Sequence, residues 1–321
     1  MIDIHADDYA LSLNTSEEIL DLMHQGILDS ISIIPNMSCY EPCIKRLQNE
    51  VPDLPFLPKL SVHLNLVEGI SLCKDPAKDK VCLVDNTWGK LFISSYIPFI
   101  RKRTKNELKN EIREQLQKGF ADIQSCIMIS KEHGIPCMQK TLRIDSHQHS
   151  HLIPVVWSAL TECLKEDSYD FEYIRNPREP LIPFLCIPSM WHSYRIINLI
   201  KNRVLYLLSF KVDRYNRNKS LIPMYMWGLV MSGKMDSSRI CALHDRFIRI
   251  AKKNGRSLEI LFHPGKMNPG EVNAEIPAAS ANSFYLNKNR DSEKEGALYM
   301  SSVIHPENPV YFSFSHNDSL Q

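Results

Sequence analysis

Glycine is scarce in this sequence, and its scarcity excludes two kinds of nucleotide-binding site. Only 11 of the 321 residues are glycine, about half of the share of roughly 7% that is usual in globular proteins. Neither the G-x-G-x-x-G pattern nor the G-x-x-x-x-G-K-[ST] pattern occurs. Because both loops need glycine where the backbone approaches the phosphates, nucleotide-binding loops of these two kinds are excluded.

An excess of charge of either sign is also lacking. The chain has 38 Lys and Arg residues against 37 Asp and Glu residues, which gives a formal net charge of +1. The overall charge therefore provides no attraction to nucleic acid or to an anionic membrane. We expect neither as a partner of this protein.

Export signals and long apolar runs are missing as well. Three acidic residues and a histidine occur among the first eight positions, where a signal peptide needs a basic end and an apolar core. The most apolar long segment, 196–212, contains Lys201, Arg203 and Lys211. We interpret it as an amphipathic helix whose apolar face lies in the core, with a membrane-surface role as the weaker alternative. A cytoplasmic location is expected.

The cysteines form no recognisable pattern. There are nine, an odd number, and the closest pair, Cys39 and Cys43, does not have the C-x-x-C spacing of a zinc ribbon. In a fairly large chain without an export signal, this composition indicates scattered reduced thiols.

Short apolar strands alternate with longer helical patterns along the whole chain. Strands are predicted at 2–4, 30–35, 59–66, 142–144, 171–175, 224–230 and 258–262. Helices are predicted at 14–26, 40–49, 104–133, 154–165, 196–212, 237–254 and 291–304. Asn14 and Thr104 are the predicted N-caps of two of them, because Glu17 and Glu107 follow at the position that completes a capping box.

Such alternation favours parallel strands joined by helical crossovers, and therefore an α/β fold. Six or seven strand–helix units favour a barrel-like closed sheet over two separate domains. We therefore predict one domain over residues 1–321. Long excursions at about 67–103 and 177–235 are expected to form loops or small lobes on one face.

Polar residues follow several predicted strands at the point where each strand ends. Asp7 and Asp8 follow the first strand, His63 lies near the end of the third, Arg175 ends the fifth, and His263 follows the last. In parallel α/β folds this edge carries the active site. Each residue alone also suits an ordinary cap, turn or buried hydrogen bond, but their occurrence along one edge favours a shared site.

The segment 145–151 is the densest of these clusters, with the sequence D-S-H-Q-H-S-H. In an extended backbone His147, His149 and His151 would share one side, whereas a turn would separate them. Neutral imidazoles are common ligands of divalent metals. Glu259, within the last strand, is predicted to orient one of the histidines.

A carboxylate and two histidines from three strands would form a facial metal site with positions open for water and substrate. Adjacent Asp7 and Asp8 point in different directions, so that one can bind a metal while the other serves as a base. A further histidine can protonate a leaving amine, which equips the site for metal-assisted hydrolysis. Non-haem iron oxygenases use a similar triad, but they usually have an antiparallel scaffold that this sequence does not indicate.

Four blocks of the sequence resemble, in the same order, those of the YdjC family of carbohydrate deacetylases, which includes the chitooligosaccharide deacetylases. The first, H-A-D-D-Y-A-L-S-L-N at 5–14, resembles the family's N-A-D-D-[FY]-G-[LM]-[ST]-x-x-x-N. The others are S-V-H-L-N-L at 61–66, I-D-S-H-Q-H-S-H-L-I-P at 144–154 and L-E-I-L-F-H-P-G at 258–265. The similarity extends over most of the chain, and the third block is its most specific part.

The resemblance implies a distorted (β/α) barrel that removes acetyl groups from N-acetylated sugars with a divalent metal. The metal ligands that it implies are Asp8, His63 and His147. It further implies Asp7 as the general base and His263 as the general acid. The family resemblance implies Mg²⁺, whereas two histidines and one carboxylate also suit Zn²⁺.

Arg175, in Y-I-R-N-P, matches a family position near the site, and the resemblance implies that it orients the base or binds substrate. Two residues depart from the pattern: His5 replaces Asn, which adds a second candidate ligand or acid, and Ala10 replaces Gly. We expect Ala10 to avoid the left-handed backbone that glycine tolerates. The roles of His149 and His151 are left open.

The expected partner is an N-acetylated oligosaccharide, and a homodimer is left open. Trp88, Trp191 and Trp227 are candidates for stacking on sugar rings, although packing in the core or in loops is the commoner role of tryptophan. Two other functions are kept as alternatives. One is a metal-dependent phosphoesterase on the same barrel, and the other is a sugar-binding protein without turnover.

Overall fold

Seven parallel strands form the centre of the structure, a computed structural model that describes residues 1–73 and 82–306. The strands are β1 (Ile2–Tyr9), β2 (Ser30–Ile33), β3 (Lys59–Leu64), β4 (Leu142–Ser146), β5 (Phe171–Ile174), β6 (Met224–Trp227) and β7 (Ser257–Phe262). They lie in the order β5-β4-β3-β2-β1-β7-β6 and curl into a half-barrel surrounded by helices. The predicted α/β fold of the distorted-barrel type is confirmed.

The distortion lies between β5 and β6, the two edge strands of the sheet. Instead of a strand pair, a backbone hydrogen bond of 3.1 Å from Met226 N to Arg178 O joins the segment after β5 to β6. The sheet therefore curls without forming a complete cylinder within the described part of the chain.

Helices connect the strands and cover the outside of the sheet. The α-helices are α1 (Leu13–His24), α2 (Tyr40–Glu50), α3 (Trp88–Ser94), α4 (Pro98–Glu132), α5 (Pro154–Glu166), α6 (Ile182–Leu185), α7 (Ile196–Asn218), α8 (Ser237–Lys253), α9 (Ala278–Ser280) and α10 (Asn289–Ile304). Short 3₁₀ helices occupy Val51–Asp53, His147–Leu152, Pro188–Ser193 and Pro269–Glu271, and a π-turn occupies Ala281–Tyr285. Among the described residues, no helix combines the length and the apolar character needed to cross a bilayer.

Strand β1 lies in the middle of the sheet and is buried almost throughout. It pairs in parallel with β2, where His5 lies opposite Ser30, and with β7, where Ile2 lies opposite Leu258. Because all neighbours are parallel, the carboxyl ends of β1, β3, β4 and β7 lie at the same edge of the sheet. This edge carries the polar blocks found in the sequence.

The N-terminus of α1 differs from the prediction. Ser12, not Asn14, is the N-cap residue: its backbone is extended and its side chain accepts a hydrogen bond of 3.1 Å from Thr15 N. The Asn14 side chain instead donates to Lys266 O at 2.7 Å. Helix α1 therefore begins close to the end of β1, which shortens the loop that carries Asp8.

Helix α4 begins at Pro98 rather than at Thr104. Proline is well tolerated in the first turn of a helix, because the backbone N–H that it lacks would have no intrahelical partner there. The predicted excursion 67–103 is therefore partly helical, since it contains α3 and the first turns of α4. Its residues 74–81 lie outside the described part of the chain.

Helix α7 extends beyond the predicted segment 196–212 and faces the core differently from the prediction. Leu205 and Val212 are buried as expected. Asn202, Ser209 and Asn216, however, share the buried side. The prediction that the apolar face of this helix lies in the core holds only in part.

We expect that Gly296→Ala lowers the stability of the fold sharply. A Cβ atom at Gly296, in α10, would lie 1.8 Å from Met235 O and 3.1 Å from an atom of the Phe262 ring. Such a clash requires α10 to move away from the sheet, at a cost of about 3 kcal/mol or more in the free energy of unfolding. At Gly89, in α3, the same change meets no atom of the described residues within 4 Å. Chemical denaturation should therefore show Gly89→Ala to be neutral or stabilising, and equal midpoints for both variants would contradict the expectation.

Candidate functional site

The residues Asp8, His63 and His147 meet at the carboxyl edge of the sheet. Asp8 Oδ1 lies 3.2 Å from His147 Nδ1 and 3.9 Å from His63 Nε2. All three side chains are buried, and one ligand atom from each lies within 4.8 Å of the other two. The structure thus brings together two imidazoles and one carboxylate in the arrangement typical of a divalent-metal site.

Two atoms of this group indicate that a cation fits between them. Asp8 Oδ1 and His63 Nε2 are both buried, and neither forms a hydrogen bond with another described residue. Buried polar atoms are rarely left unpaired, because the loss of water costs free energy that a new partner must offset. A metal ion bound to both atoms would provide that partner, so the residues present fit a divalent metal.

Each of the three side chains is held from behind by a second polar group. Asp145 Oδ1 lies 2.6 Å from His63 Nδ1, which orients the ring and directs Nε2 towards Asp8. On the other side of Asp8, Arg290 donates to Oδ2 at 3.0 Å. His147 Nε2 lies 2.8 Å from the hydroxyl of Tyr285.

The hydroxyl of Tyr285 in turn donates to Glu68 Oε2 at 2.7 Å. Neither Tyr285, Glu68 nor Arg290 was predicted to belong to the site. Tyr285 and Arg290 come from the C-terminal part of the chain, where no strand pattern marks an active-site edge. Glu68 follows the S-V-H-L-N-L block by two residues, which is the only sequence signal that pointed towards any of them.

The electrostatics of the three ligands reflect their mutual contact. Burial alone would raise the pKa of Asp8, but the close contact with His147, whose Nδ1 lies 3.2 Å from Oδ1, and the charge of Arg290 outweigh it and lower the pKa. Burial alone would lower the pKa of His147, yet Asp8 and Glu68 raise it to about 9. The acidic surroundings of His147 thus favour a positive charge at this position.

Asp7 lies beside the group formed by Asp8, His63 and His147, with Oδ1 3.9 Å from His63 Nδ1, and is bound by Arg175. The guanidinium donates through Nη1 to Asp7 Oδ2 at 2.9 Å and through Nη2 to Asp7 Oδ1 at 2.8 Å. Burial by itself raises the pKa of Asp7, but Arg175 together with His63 and His5 holds the pKa well below its ordinary value. Asp7 is therefore ionised at neutral pH and fixed in one orientation.

The backbone between the two carboxylates explains their opposite directions. Asp8 has a φ of 74° and Ala10 a φ of 67°. The expectation that Ala10 avoids the left-handed region is wrong. Both residues adopt this conformation, which is uncommon for residues with a Cβ atom and is found mainly where the fold enforces it. The resulting turn sends Asp7 towards Arg175 and Asp8 towards Arg290.

Arg175 contacts two further carboxylates besides Asp7. Its Nη2 lies 3.2 Å from Asp145 Oδ2, and its Nε lies 2.6 Å from Glu259 Oε1. Glu259 also accepts a hydrogen bond from the hydroxyl of Tyr173. The prediction that Glu259 orients a histidine is therefore wrong, since it contacts the arginine that holds Asp7.

His5, Asp7 and Asp145 form a second buried group with ligand atoms in close proximity. This group fits a metal poorly, because Arg175 already contacts both carboxylates with its positive charge. His5 also has partners for both ring nitrogens, since Nδ1 lies 2.6 Å from Ser30 Oγ and Nε2 lies 2.6 Å from Ser32 Oγ. The histidine that departs from the family pattern thus supports Asp7 from inside the sheet, 3.1 Å from Asp7 Oδ1.

The three alternating histidines lie in a 3₁₀ turn and not in an extended strand. Gln148 and His149 have positive φ values, so the histidines point in different directions. His151 is held away from Asp8, with its Nε2 2.9 Å from Arg175 O and its Nδ1 2.5 Å from Ser146 Oγ. Of the three, only His147 belongs to the group with Asp8 and His63 that could hold a metal ion.

A cavity of about 470 Å³ opens onto this edge of the sheet, and Asp7, His147, His149 and His263 are among the residues that line it. The main-chain N–H of His263 donates to Glu293 Oε2 at 2.6 Å, and Nδ1 of the same residue lies 3.3 Å from that oxygen. This contact orients the ring and leaves Nε2 available to a ligand.

The tryptophans named as stacking candidates have different surroundings. Trp88 lines the cavity and stacks on Phe92, with ring centroids 5.2 Å apart. Trp227 is fully buried and stacks on Phe247, so the prediction that it stacks on a sugar is wrong. Trp191 is half exposed and lies outside the cavity wall formed by the described residues.

Comparison with known proteins shows which family the chain matches. Residues 1–124 and 139–305 match the family described as "YdjC-like protein". No curated protein matches the sequence. Among solved structures, one from Enterococcus faecalis named "putative cellobiose-phosphate cleavage protein" is 13% identical, with a TM-score of 0.45, and the alignment covers 92% of this chain and 94% of that chain.

Proposed function

The chain belongs to the YdjC-like family, and from this premise we propose that it is a metal-dependent hydrolase that removes the N-acetyl group from an N-acetylated amino-sugar oligosaccharide. The proposal is carried by two buried atoms, Asp8 Oδ1 and His63 Nε2, that have no hydrogen-bond partner among the described residues. Beside them lies the ionised carboxylate of Asp7, which is not one of the three proposed ligands. The 470 Å³ cavity in front of them has the size of a small-molecule site.

Asp8, His63 and His147 would hold the metal, which when bound polarises an acyl oxygen and lowers the pKa of water. Asp145 keeps the His63 ring in the orientation that presents Nε2. In the same way, Tyr285 orients His147 and Arg290 orients Asp8. By ligand type the site suits Zn²⁺, and by family resemblance Mg²⁺, so both metals belong in every binding experiment.

Asp7 accepts the proton of the attacking water in this proposal. Its bidentate contact with Arg175 fixes the carboxylate beside the metal-binding group, with Oδ1 3.9 Å from His63 Nδ1. A base with a lowered pKa is ionised at neutral pH but weak, so its contribution depends on orientation and on prior acidification of the water. Attack on the amide carbon breaks the C–N bond and yields acetate and a free amine.

His263 protonates the leaving amine in the proposed reaction. The ring lines the cavity together with Asp7, and Glu293 holds its Nδ1 side. A carboxylate behind a histidine fixes which ring nitrogen faces the substrate. Asp7 and His263 thus supply a base and an acid from two different strands, β1 and β7.

We expect Asp7→Asn to lower the rate of acetate release from N-acetylated chitooligosaccharides by about 10²–10⁴-fold, the usual contribution of a general base. The metal content should be unchanged, because Asp7 is not among the three ligands. The measurements are enzymatic determination of acetate and elemental analysis of the purified protein.

The matched control for this experiment is Asp85→Asn, which removes one carboxylate in the segment before α3 and should leave the rate of acetate release unchanged. Equal release by the wild type and Asp7→Asn would contradict the proposed role of Asp7. Binding of the oligosaccharide with no acetate release by the wild type would favour a sugar-binding protein.

A metal-dependent phosphoesterase is the second candidate function. Arg195 and Lys201 belong to the cavity wall and would favour an anionic substrate. Release of phosphate from generic phosphoesters, without release of acetate from any N-acetylated glycan, would favour this candidate over deacetylation.

A further inference from the structure

Helix α7 exposes several large apolar residues along one face, while its buried face combines Leu205 and Val212 with polar residues. Its solvent-facing stripe, spaced by three and four residues, consists of Ile196, Ile200, Arg203, Leu207, Phe210 and Arg214. Leu207 is 69% exposed and Phe210 49%. A helix that only covers the sheet would turn the Ile, Leu and Phe residues of this stripe inward. Their exposure indicates contact with something outside the described chain.

A second exposed apolar segment lies at the junction of α3 and α4. Ile93, Tyr96, Ile97, Phe99 and Ile100 are all exposed there, and Phe99 is 93% exposed. Scattered exposed apolar residues are normal on a protein surface, but five within eight positions form a patch. We call this segment and the stripe on α7 together the apolar rim.

The two parts of the apolar rim border the same feature. Ser95 Oγ accepts from Val155 N at 3.1 Å, and Lys211 Nζ donates to Leu152 O at 2.7 Å, so both parts attach to the segment 152–155, where α5 begins. Trp88 of α3 and Ile200 of α7 also line the same cavity. The rim therefore flanks the mouth of the candidate active site.

Basic residues accompany the apolar rim on both sides. Residues 88–105 contain five Lys and Arg and no Asp or Glu, although the whole chain is almost neutral. Two of the five are paired, Arg103 with Glu107 and Lys105 with Glu162, and the other three form no ion pair with a described residue. Residues 182–217 contain six Lys and Arg and one acidic residue, Asp213. Arg178 and Arg256 neutralise Asp213, each at 2.6 Å from its Oδ2. The rim is thus apolar and positively charged, which is complementary to an anionic lipid surface.

We infer that the apolar rim docks this protein onto an anionic phospholipid bilayer. Exposed Ile, Leu and Phe side chains enter the boundary between headgroups and acyl chains, while the neighbouring Lys and Arg side chains contact anionic headgroups. The mouth of the cavity, with Ile200 and Lys201 in its wall, then faces the bilayer. This inference revises the expectation of no membrane partner and does not depend on the proposed reaction.

The test is co-sedimentation of the full chain with vesicles of phosphatidylglycerol and phosphatidylcholine in equal parts, compared with phosphatidylcholine alone. We expect binding to the anionic vesicles that weakens as salt is added, because headgroup attraction is screened. The variant Leu207→Ser/Phe210→Ser should bind about tenfold or more weakly. The variant Arg101→Gln/Lys102→Gln/Arg103→Gln should lose about 100-fold on anionic vesicles.

Matched controls come from the opposite edge of the sheet. Met138→Ser removes an apolar side chain that is 80% exposed, and Lys252→Gln/Lys253→Gln removes two exposed charges at the end of α8. Both should bind vesicles like the wild type, and thermal melts should show that every variant is folded.

Equal vesicle binding by wild type and rim variants, or no binding by the wild type, would overturn the inference. The inference would also be overturned if the wild type forms a dimer in sedimentation velocity, Leu207→Ser/Phe210→Ser abolishes that dimer, and vesicle binding is absent. The rim would then contact a second copy of the chain. If the wild type binds vesicles but releases no acetate, only the proposed reaction would be contradicted.

Discussion

His63→Gln is expected to abolish tight binding of a divalent metal and, with it, hydrolysis. The substitution removes Nε2, one of the two buried atoms that have no hydrogen-bond partner among the described residues. Asp145 only orients the ring, and loss of such an outer contact typically weakens metal binding by about 10–100-fold. Loss of the ligand itself should exceed that range. Calorimetric titration of the metal-stripped protein with Zn²⁺ and with Mg²⁺ measures the difference.

The control is His24→Gln, which removes a partly exposed histidine that contacts Glu50 on the surface. It should bind metal like the wild type. Asp145→Asn should fall between the two, provided that thermal melts show it to be folded. Wild-type affinity in His63→Gln would show that the metal, if bound, lies elsewhere.

Arg175→Met is expected to destabilise the fold by about 3–5 kcal/mol, the usual cost of leaving buried charges without their partner. Arg175 is fully buried and contacts Asp7, Asp145 and Glu259. A methionine of similar length fills the space but leaves three carboxyl groups without a cation. Urea denaturation in the presence of a chelator measures the change without a contribution from metal.

The pH dependence of this effect follows from the pKa shifts. In the wild type the pKa of Asp7 is well below its ordinary value and that of Asp145 is about 2. Their ionised forms therefore contribute stability above the unfolded-state value of about 3.9, and this contribution is lost as pH falls through the folded-state values. In Arg175→Met burial raises the same pKa values, so the variant gains stability as pH falls. The difference between the two proteins should be largest near neutral pH and should shrink towards pH 4.

Arg178→Met is the matched control, because Arg256 remains paired with Asp213 when Arg178 is removed. We expect a smaller loss of stability there and a weaker dependence on pH. Equal losses of stability in the two variants would mean that the contacts of Arg175 with three carboxylates do not account for its contribution to the stability of the fold.

Much of the fold was predictable because hydrophobic periodicity depends on local sequence. Each strand of the sheet has apolar residues at alternating or successive positions, and this pattern marks it in the sequence even where polar residues lie between them, as in β1 and β4. The helix starts were less predictable. Ser12 and Asn14 are both good N-caps by residue type, and only the path of the chain after β1 selects Ser12.

The meeting of Asp8, His63 and His147 could be anticipated from residue types at strand ends, but the surroundings of this group could not. The contact of Glu259 with Arg175 and the direction of His151 depend on distances between strands that are remote in the sequence. Ala10 shows a similar limit, since its left-handed backbone is imposed by the turn in which Asp8 lies.

The sequence by itself determined the order of strands and helices, the family resemblance and the chemical types present at one edge of the sheet, because these follow from local pattern. Only the tertiary structure decided which of these residues meet, which carboxylate is bound by Arg175 and which atoms remain unpaired. The same holds for α7, where the amphipathic pattern is visible in the sequence but the direction of its apolar face is not. A helix pattern specifies two faces, whereas packing against the rest of the chain determines which of them is buried.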